Sequence, residues 1–368
     1  MPSFFAALLL ISAAVCSAAE VRFAGKTKYL NNTKAVVTHN IDDSTKYVPA
    51  AVDAMDKYGI KSTIFISTDE DPAPEERFLT QLVVKDLWPR LRKAIENGHE
   101  LGSHSQTHPC RRQETEAACS EAYTDAEVSG SRDEILKMTK QPYVWTWCYP
   151  CGTCANVPLI QKRIAAAGYL VARNYPDEPH DGHVRPNLQT WDENPFNAAY
   201  TQVVQKRGGA AKTEILDLKV LNGKFDEIYA KGGIYNFMSH PQWLDFGPDG
   251  FYEKHLSYVS GKADVWYVPM GPLYAYKAIF DKTEVRPTNA TTFVVSNGLD
   301  PKIYNGSITL EFTAPATAKI YSRGKALAER KPGAMTDRWT GEYFRREGDR
   351  VFVTVASNTT VEFRGVSR

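Results

Sequence analysis

From about residue 35 to residue 280 short β-rich runs alternate with segments of helix length, and no other feature limits the fold as strongly. Lys61 to Ser67 reads as a strand, preceded by a helix through Pro49 to Tyr58. Leu87, Leu91 and Ile95 repeat at helical spacing in a segment that runs to Asn97 and stops at Gly98. Tyr143 to Cys148 is a strand, Leu159 to Ala167 a helix ending at Gly168, and Tyr169 to Ala172 the next strand. Gly233 to Met238 and Val265 to Val268 are strands, the latter followed by a helix from Leu273 to Phe280. Such alternation implies a parallel sheet, open or closed, with functional residues at the strand C-termini. The candidate chemical residues sit at such ends: Asp42 and Asp43, His104, Tyr149 to Gly152, Arg173 and His240.

At 368 residues the chain exceeds the usual size of one core, so two domains are expected. Composition changes near Asp281 to Thr288. Beyond it, Ser307 to Phe312 and Val351 to Val355 alternate at period two, which reads as a small β-sandwich over residues 283–368. Phe4 to Val15 is an apolar run before Cys16-Ser17-Ala18-Ala19, the pattern of a secretory signal peptide over residues 1–19. A secreted chain beginning near Glu20 is therefore expected, at the cell wall or outside the cell. Later runs are too short to span a membrane. A net charge of +1 gives no reason to expect nucleic acid or an anionic membrane as partner, and nothing in the sequence specifies an oligomer. Sequons at Asn31, Asn289, Asn305 and Asn358 fit a glycoprotein. After processing five cysteines remain, Cys110, Cys119, Cys148, Cys151 and Cys154, for which two disulfides and one free thiol is the default in an oxidising compartment.

Two imidazoles four apart, His104 and His108, with a carboxylate from Asp42-Asp43, form a common ligand set for a catalytic metal. The second carboxylate is then free to act as a base on water. Taken alone, such a histidine pair arises often by chance, and Asp42 and Asp43 also suit the start of a helix at Ser44. Their shared placement at strand ends favours the metal reading. Cys148-x-x-Cys151-x-x-Cys154 could be a redox or structural zinc motif, but no fourth ligand is spaced for zinc. Disulfides shaping the rim of the site, with a bridge toward Cys110 or Cys119, fit better. Asp177, Glu178, His180, Asp181 and His183 read as a solvated loop. Trp145, Trp147, Trp191 and Trp243 could stack on sugar rings, although most aromatic residues, Trp266 among them, belong to the core.

Asn40-Ile41-Asp42-Asp43-Ser44 resembles the Thr-Phe-Asp-Asp-Gly motif of the polysaccharide deacetylases, the NodB-homology group or carbohydrate esterase family 4. His104-Ser105-Gln106-Thr107-His108, with Gly98 to Gly102 before it, is similar to that family's His-Ser/Thr-x-x-His motif. Cys148-Tyr149-Pro150-Cys151-Gly152 looks like a variant of its Arg-x-Pro-Tyr-Gly motif, and Ser239-His240-Pro241 resembles its late histidine motif. The resemblance covers roughly residues 30 to 282. It implies a distorted (β/α) barrel over residues 20–282 and a divalent metal, expected to be zinc, on Asp43, His104 and His108. Asp42 is the implied base, His240 the implied proton donor, and the Cys151 backbone N–H the implied oxyanion donor. Tyr149 lies in the same substrate-binding motif. The family's arginine in that motif is replaced by Cys148, and Arg173 at the next strand end could supply the guanidinium to Asp42. Ser44 replaces a glycine. Trp191-Asp192 is the nearest counterpart of the family's acidic fourth motif, with Asp192 a possible partner of His240.

The expected activity is removal of N-acetyl groups from an amino-sugar polymer such as chitin or peptidoglycan, releasing acetate. A catalytically silent glycan-binding module on the same fold is the main alternative, because the third and fourth motifs are altered. A cyclic-amide hydrolase and a two-His-one-carboxylate iron oxygenase are further rivals. The paired histidines argue against the first of these, the extra Asp42 against the second.

Overall fold

The computed structural model describes residues 20–69, 84–110, 113–174, 191, 194–204, 218–330 and 339–366. The expected signal peptide, the cluster from Asp177 to His183 and Asp192 lie outside these residues. The strands are β1 (Arg22–Lys26), β2 (Ala35–Ile41), β3 (Ser62–Ile66), β4 (Glu100–Ser103), β5 (Thr146–Cys148), β6 (Val171–Arg173), β7 (Gln202–Val203), β8 (Ile234–Ser239) and β9 (Val265–Tyr267). Eight of them form one sheet in the order β6-β5-β4-β3-β2-β8-β7, every pair parallel, with β9 joined to the first half of β2.

The helices Val48–Lys57, Val84–Glu96, Pro158–Ala166, Leu218–Lys231, Phe251–Val259 and Met270–Lys282 lie between or after these strands. Gly98 ends one of them in the left-handed region at φ 95°, where a side chain would be strained. Gly102 on β4 is needed for another reason: a Cβ there would collide with Thr146 and the Phe65 ring. The sheet curls until its edges meet through residues 198–204. Ala198 bonds with Ala172 and Asn174 beside β6, while β7 and Val204 bond along β8. The fold is the expected distorted (β/α) barrel.

The remaining strands are β10 (Glu284–Asn289), β11 (Thr292–Ser296), β12 (Ser307–Thr313), β13 (Lys319–Ser322), β14 (Lys325–Ala326), β15 (Tyr343–Glu347), β16 (Arg350–Ala356) and β17 (Thr359–Arg364). They form two antiparallel sheets, β1-β12-β16-β15 and β10-β11-β17-β13-β14. Strand β1 thus pairs with the C-terminal region, so this all-β unit takes strands from both ends of the chain.

Its core is continuous with the barrel. Ile308, Leu310, Phe312 and Val353 share one buried cluster with Val36, Ile234 and Trp266 near the strand starts, and with Leu273, Tyr276 and Ile279 of the last helix. The all-β unit therefore seals the end of the barrel away from the strand C-termini. Glu100 is spent on the same junction. Its carboxylate accepts from Thr63 Oγ1, Thr146 Oγ1 and the Gly271 N–H at the start of helix Met270–Lys282. Burial pushes its pKa up to about 7 against those three bonds.

Among the described residues no helix is long and apolar enough to cross a membrane. Asn289 and Asn358 are exposed, whereas Asn31 is buried in a turn with its N–H on Thr309 Oγ1, so a glycan at Asn31 has no room.

Candidate metal centre

The run Ala35 to Ile41 is wholly buried and delivers Asp42 and Asp43 at its end. Asp43 takes φ 73°, which turns its side chain away from the direction of the strand. The hydroxyl of Ser44, where the resembling motif has glycine, donates to the Ser67 carbonyl and accepts from the Ser67 N–H. Ser67 Oγ in turn donates to the His104 carbonyl, so the ends of β2, β3 and β4 are laced together.

His104 follows β4 directly. Its Nδ1 lies 3.0 Å from the Cys148 carbonyl and donates to it, which directs Nε2 toward Asp43. The loop to His108 turns sharply, with Ser105 and His108 both at positive φ. One carboxylate holds it. Glu127 accepts from the N–H groups of Gln106 and Thr107 and from Thr107 Oγ1, at 2.8, 2.9 and 2.7 Å. Glu127 lies in a π-helical turn, Ala126–Gly130, and the sequence reading did not single it out.

These turns bring three donors together. Asp43 Oδ1 lies 3.6 Å from His104 Nε2 and 3.6 Å from His108 Nε2. Donors on a tetrahedral zinc with bonds of about 2.0–2.1 Å stand about 3.4 Å apart, so the residues fit such an ion. A ligating histidine must be neutral. Burial, and then the charge of His104, hold His108 down to about 4, which leaves its ring neutral near pH 7. Burial would lower His104 too, but Cys148, Asp43 and Asp42 outweigh it and hold its pKa well above the usual imidazole range, so an ion must displace its Nε2 proton. Burial would raise Asp43, but the His104 hydrogen bond and the nearby charges of His240, His108 and His104 hold it well below the usual carboxylate range. A second donor group, Asp42, His104 and Cys148, is close enough for a metal but chemically poorer. Burial raises the Cys148 thiol despite Arg173 beside it, so the thiolate a metal needs is disfavoured.

Arg173 reaches the same place from the end of β6. Its Nη2 donates to Asp42 Oδ2 and, at 2.8 Å, to the Cys148 sulfur. The guanidinium is fully buried, lies over the rings of Phe65 and Tyr200, and gives Nη1 to the Asn174 carbonyl. Asp42 keeps one oxygen against this cation. Its other oxygen, Oδ1, is buried with no protein partner among the described residues. Opposite, the turn Pro241–Trp243 follows β8. His240 begins it with its ring 4.7 Å from Trp243, and enclosure lowers its pKa against the pull of Asp43 and Asp42.

Cys110 is bonded to Cys151, and Cys119 to Cys154, while Cys148 is free and buried. Cys110 Sγ lies 3.7 Å from His108 Nδ1, so the first disulfide pins the turn at Cys151 (φ 55°) against His108. The structure does not bring Tyr149 into the site. Its ring is fully buried among Tyr123 and Trp147, and its hydroxyl donates to the Phe196 carbonyl, so a role in contacting substrate has no geometry behind it. Trp145, Trp147 and Trp266 are likewise buried core and Trp191 packs on Tyr29 and Tyr274, whereas Trp243 lies beside His240.

Residues 30–172 match the family described as polysaccharide deacetylase. No curated protein matches the chain. Among solved structures it is similar to the catalytic domain of a peptidoglycan N-acetylglucosamine deacetylase from Eubacterium rectale, at 12% identity over 64% of this chain and 86% of that one, with a TM-score of 0.37. It is also similar to a family 4 carbohydrate esterase from Streptomyces lividans solved with acetate (13%, 62% and 86%, TM-score 0.37). A peptidoglycan deacetylase from Bacillus subtilis gives 13%, 66% and 91%, with a TM-score of 0.38. The segment that matches the polysaccharide deacetylase family, residues 30–172, is the one that carries Asp42, Asp43, His104 and His108.

Proposed function

We propose that the protein is a secreted, metal-dependent deacetylase that removes N-acetyl groups from amino sugars of a polysaccharide and releases acetate. The observation that carries this reading is the pairing of two adjacent aspartates with different surroundings. Asp43 faces two imidazole nitrogens, whereas Asp42 faces a buried arginine and keeps one oxygen without a partner among the described residues. A divalent ion on Asp43, His104 and His108, expected to be zinc, supplies Lewis acidity toward water and toward an amide carbonyl. Asp42 Oδ1 takes the proton from the attacking water while Arg173 fixes Oδ2 and balances the carboxylate charge. The Cys151 N–H, in its disulfide-held turn, is assigned to the oxyanion. His240 gives a proton to the departing sugar amine. Burial lowers its pKa, so the ring is mostly neutral near pH 7 and must take up a proton before it can donate one.

The altered third motif supports this reading rather than a silent binding module. Cys148 stands where the family's arginine is expected, yet a guanidinium still reaches Asp42 from Arg173. We assign residues 20–282, apart from β1, to the catalytic unit, and residues 283–368 together with β1 to the all-β unit. Because that unit seals the far end of the barrel, its role is assigned to support rather than to gripping substrate at the cleft.

Purified full chain incubated with N-acetylglucosamine oligomers, chitin and peptidoglycan fragments is expected to release acetate from at least one. A chelator should stop the release and added zinc should restore it. Absence of acetate from every acetylated glycan, with zinc bound to the protein, would leave the binding-module reading in its place.

A further inference from the structure

We propose that Gln242 is a positioning residue that fixes Asp43 as a one-oxygen metal ligand and ties that ligand to the turn carrying the proton donor. This inference rests on the metal reading above. Gln242 Nε2 donates to Asp43 Oδ2 at 2.7 Å, while Asp43 Oδ1 faces both histidine nitrogens at 3.6 Å. A carboxylate only accepts, so the amide nitrogen must be the atom that meets it. With Oδ2 occupied, Oδ1 alone is presented to an ion. The amide is also a suitable donor because it is neutral. A lysine or arginine at the same place would withdraw charge from the ligand and weaken its hold on a cation.

Two further observations separate this contact from ordinary packing. Gln242 Oε1 is buried with no hydrogen-bond partner among the described residues, so the Nε2 contact with Asp43 is the hydrogen bond that orients this amide. The residue also lies in the short turn Pro241–Trp243, closed by the Trp243 N–H on the His240 carbonyl at 3.0 Å. Within that turn His240 rests against Trp243 while the intervening Gln242 reaches across from the end of β8 to the end of β2. The spacing between proton donor and metal ligand is thereby set by three consecutive residues. Partners that orient a metal ligand commonly contribute tenfold to a hundredfold in affinity.

The test is zinc affinity of the full chain, read by competition with a chromogenic chelator, with circular dichroism and thermal melting alongside. Gln242→Met keeps the length of the side chain and removes the donor. It is expected to weaken zinc binding by about 10- to 100-fold with the melting curve little changed. Gln242→Asn keeps the amide but falls a methylene short, and the same loss is expected; it serves as the test should the Met variant not fold. Affinities within twofold of the unaltered chain in both variants would overturn the proposal while leaving the metal site intact. If instead the unaltered chain binds zinc no better than Asp43→Ala, the metal reading itself fails and this inference with it.

Discussion

Asp42→Asn is expected to lower kcat/KM for acetate release by about 10²- to 10⁴-fold while the chain still binds its metal. The side chain keeps its size, and Asp42 is not one of the three donors in the group Asp43, His104 and His108. What is lost is the basic oxygen: Oδ1, which has no partner among the described residues, can no longer accept a proton. The measurement is steady-state acetate release on the glycan that gives the best rate, paired with zinc affinity of the same preparation. An Asn variant with more than a tenth of the original activity would show that the base lies elsewhere. An Asn variant that fails to bind zinc would place Asp42 among the ligands.

The second large effect concerns stability. Arg173 is fully buried and Asp42 nearly so, and among the described residues neither has another oppositely charged residue in hydrogen-bond contact. Removing one member of such a pair strands the other charge, at about 3–5 kcal/mol. Arg173→Met is therefore expected to lower the unfolding free energy by that amount, measured by urea denaturation. The double variant Asp42→Asn/Arg173→Met should cost clearly less than the two single changes added together, because neither charge is then stranded. Additive costs would mean that the two groups do not act as a pair. Activity separates position from charge. Arg173→Lys keeps the charge but cannot reproduce the fork that touches Asp42, Cys148 and the Asn174 carbonyl, so kcat should fall with KM little changed.

Much of the site is legible in the sequence because the fold makes it local. A parallel barrel puts its chemistry at strand C-termini, so Asp42, Asp43, His104, Arg173 and His240 follow from finding the strands. The arginine is a telling case. Its motif position holds Cys148, yet Cys148 and Arg173 are paired residues on adjacent parallel strands, so a guanidinium moved one strand over still reaches the same carboxylate.

Other features are not local. Glu127 acts on Gln106 and Thr107 through backbone N–H groups, which leave no side-chain pattern to read. Gln242 is an ordinary polar residue in a turn until β8 is seen to lie beside β2. The segment 198–204 closes the barrel with a two-residue strand, too short to show a period. Strand β1 finds its partner at the opposite end of the chain. Tyr149 was misplaced for a simpler reason: a motif gives the order of residues, not the side of the strand they face.

Every step assigned here depends on one divalent ion seated between Asp43, His104 and His108. Zinc titration of metal-free full chain, followed by isothermal calorimetry, tests this most directly. One tight equivalent per chain is expected, lost in His104→Ala and in Asp43→Ala and retained in Asp42→Asn. Tight binding that survives both substitutions, or no binding by the unaltered chain, would contradict the account.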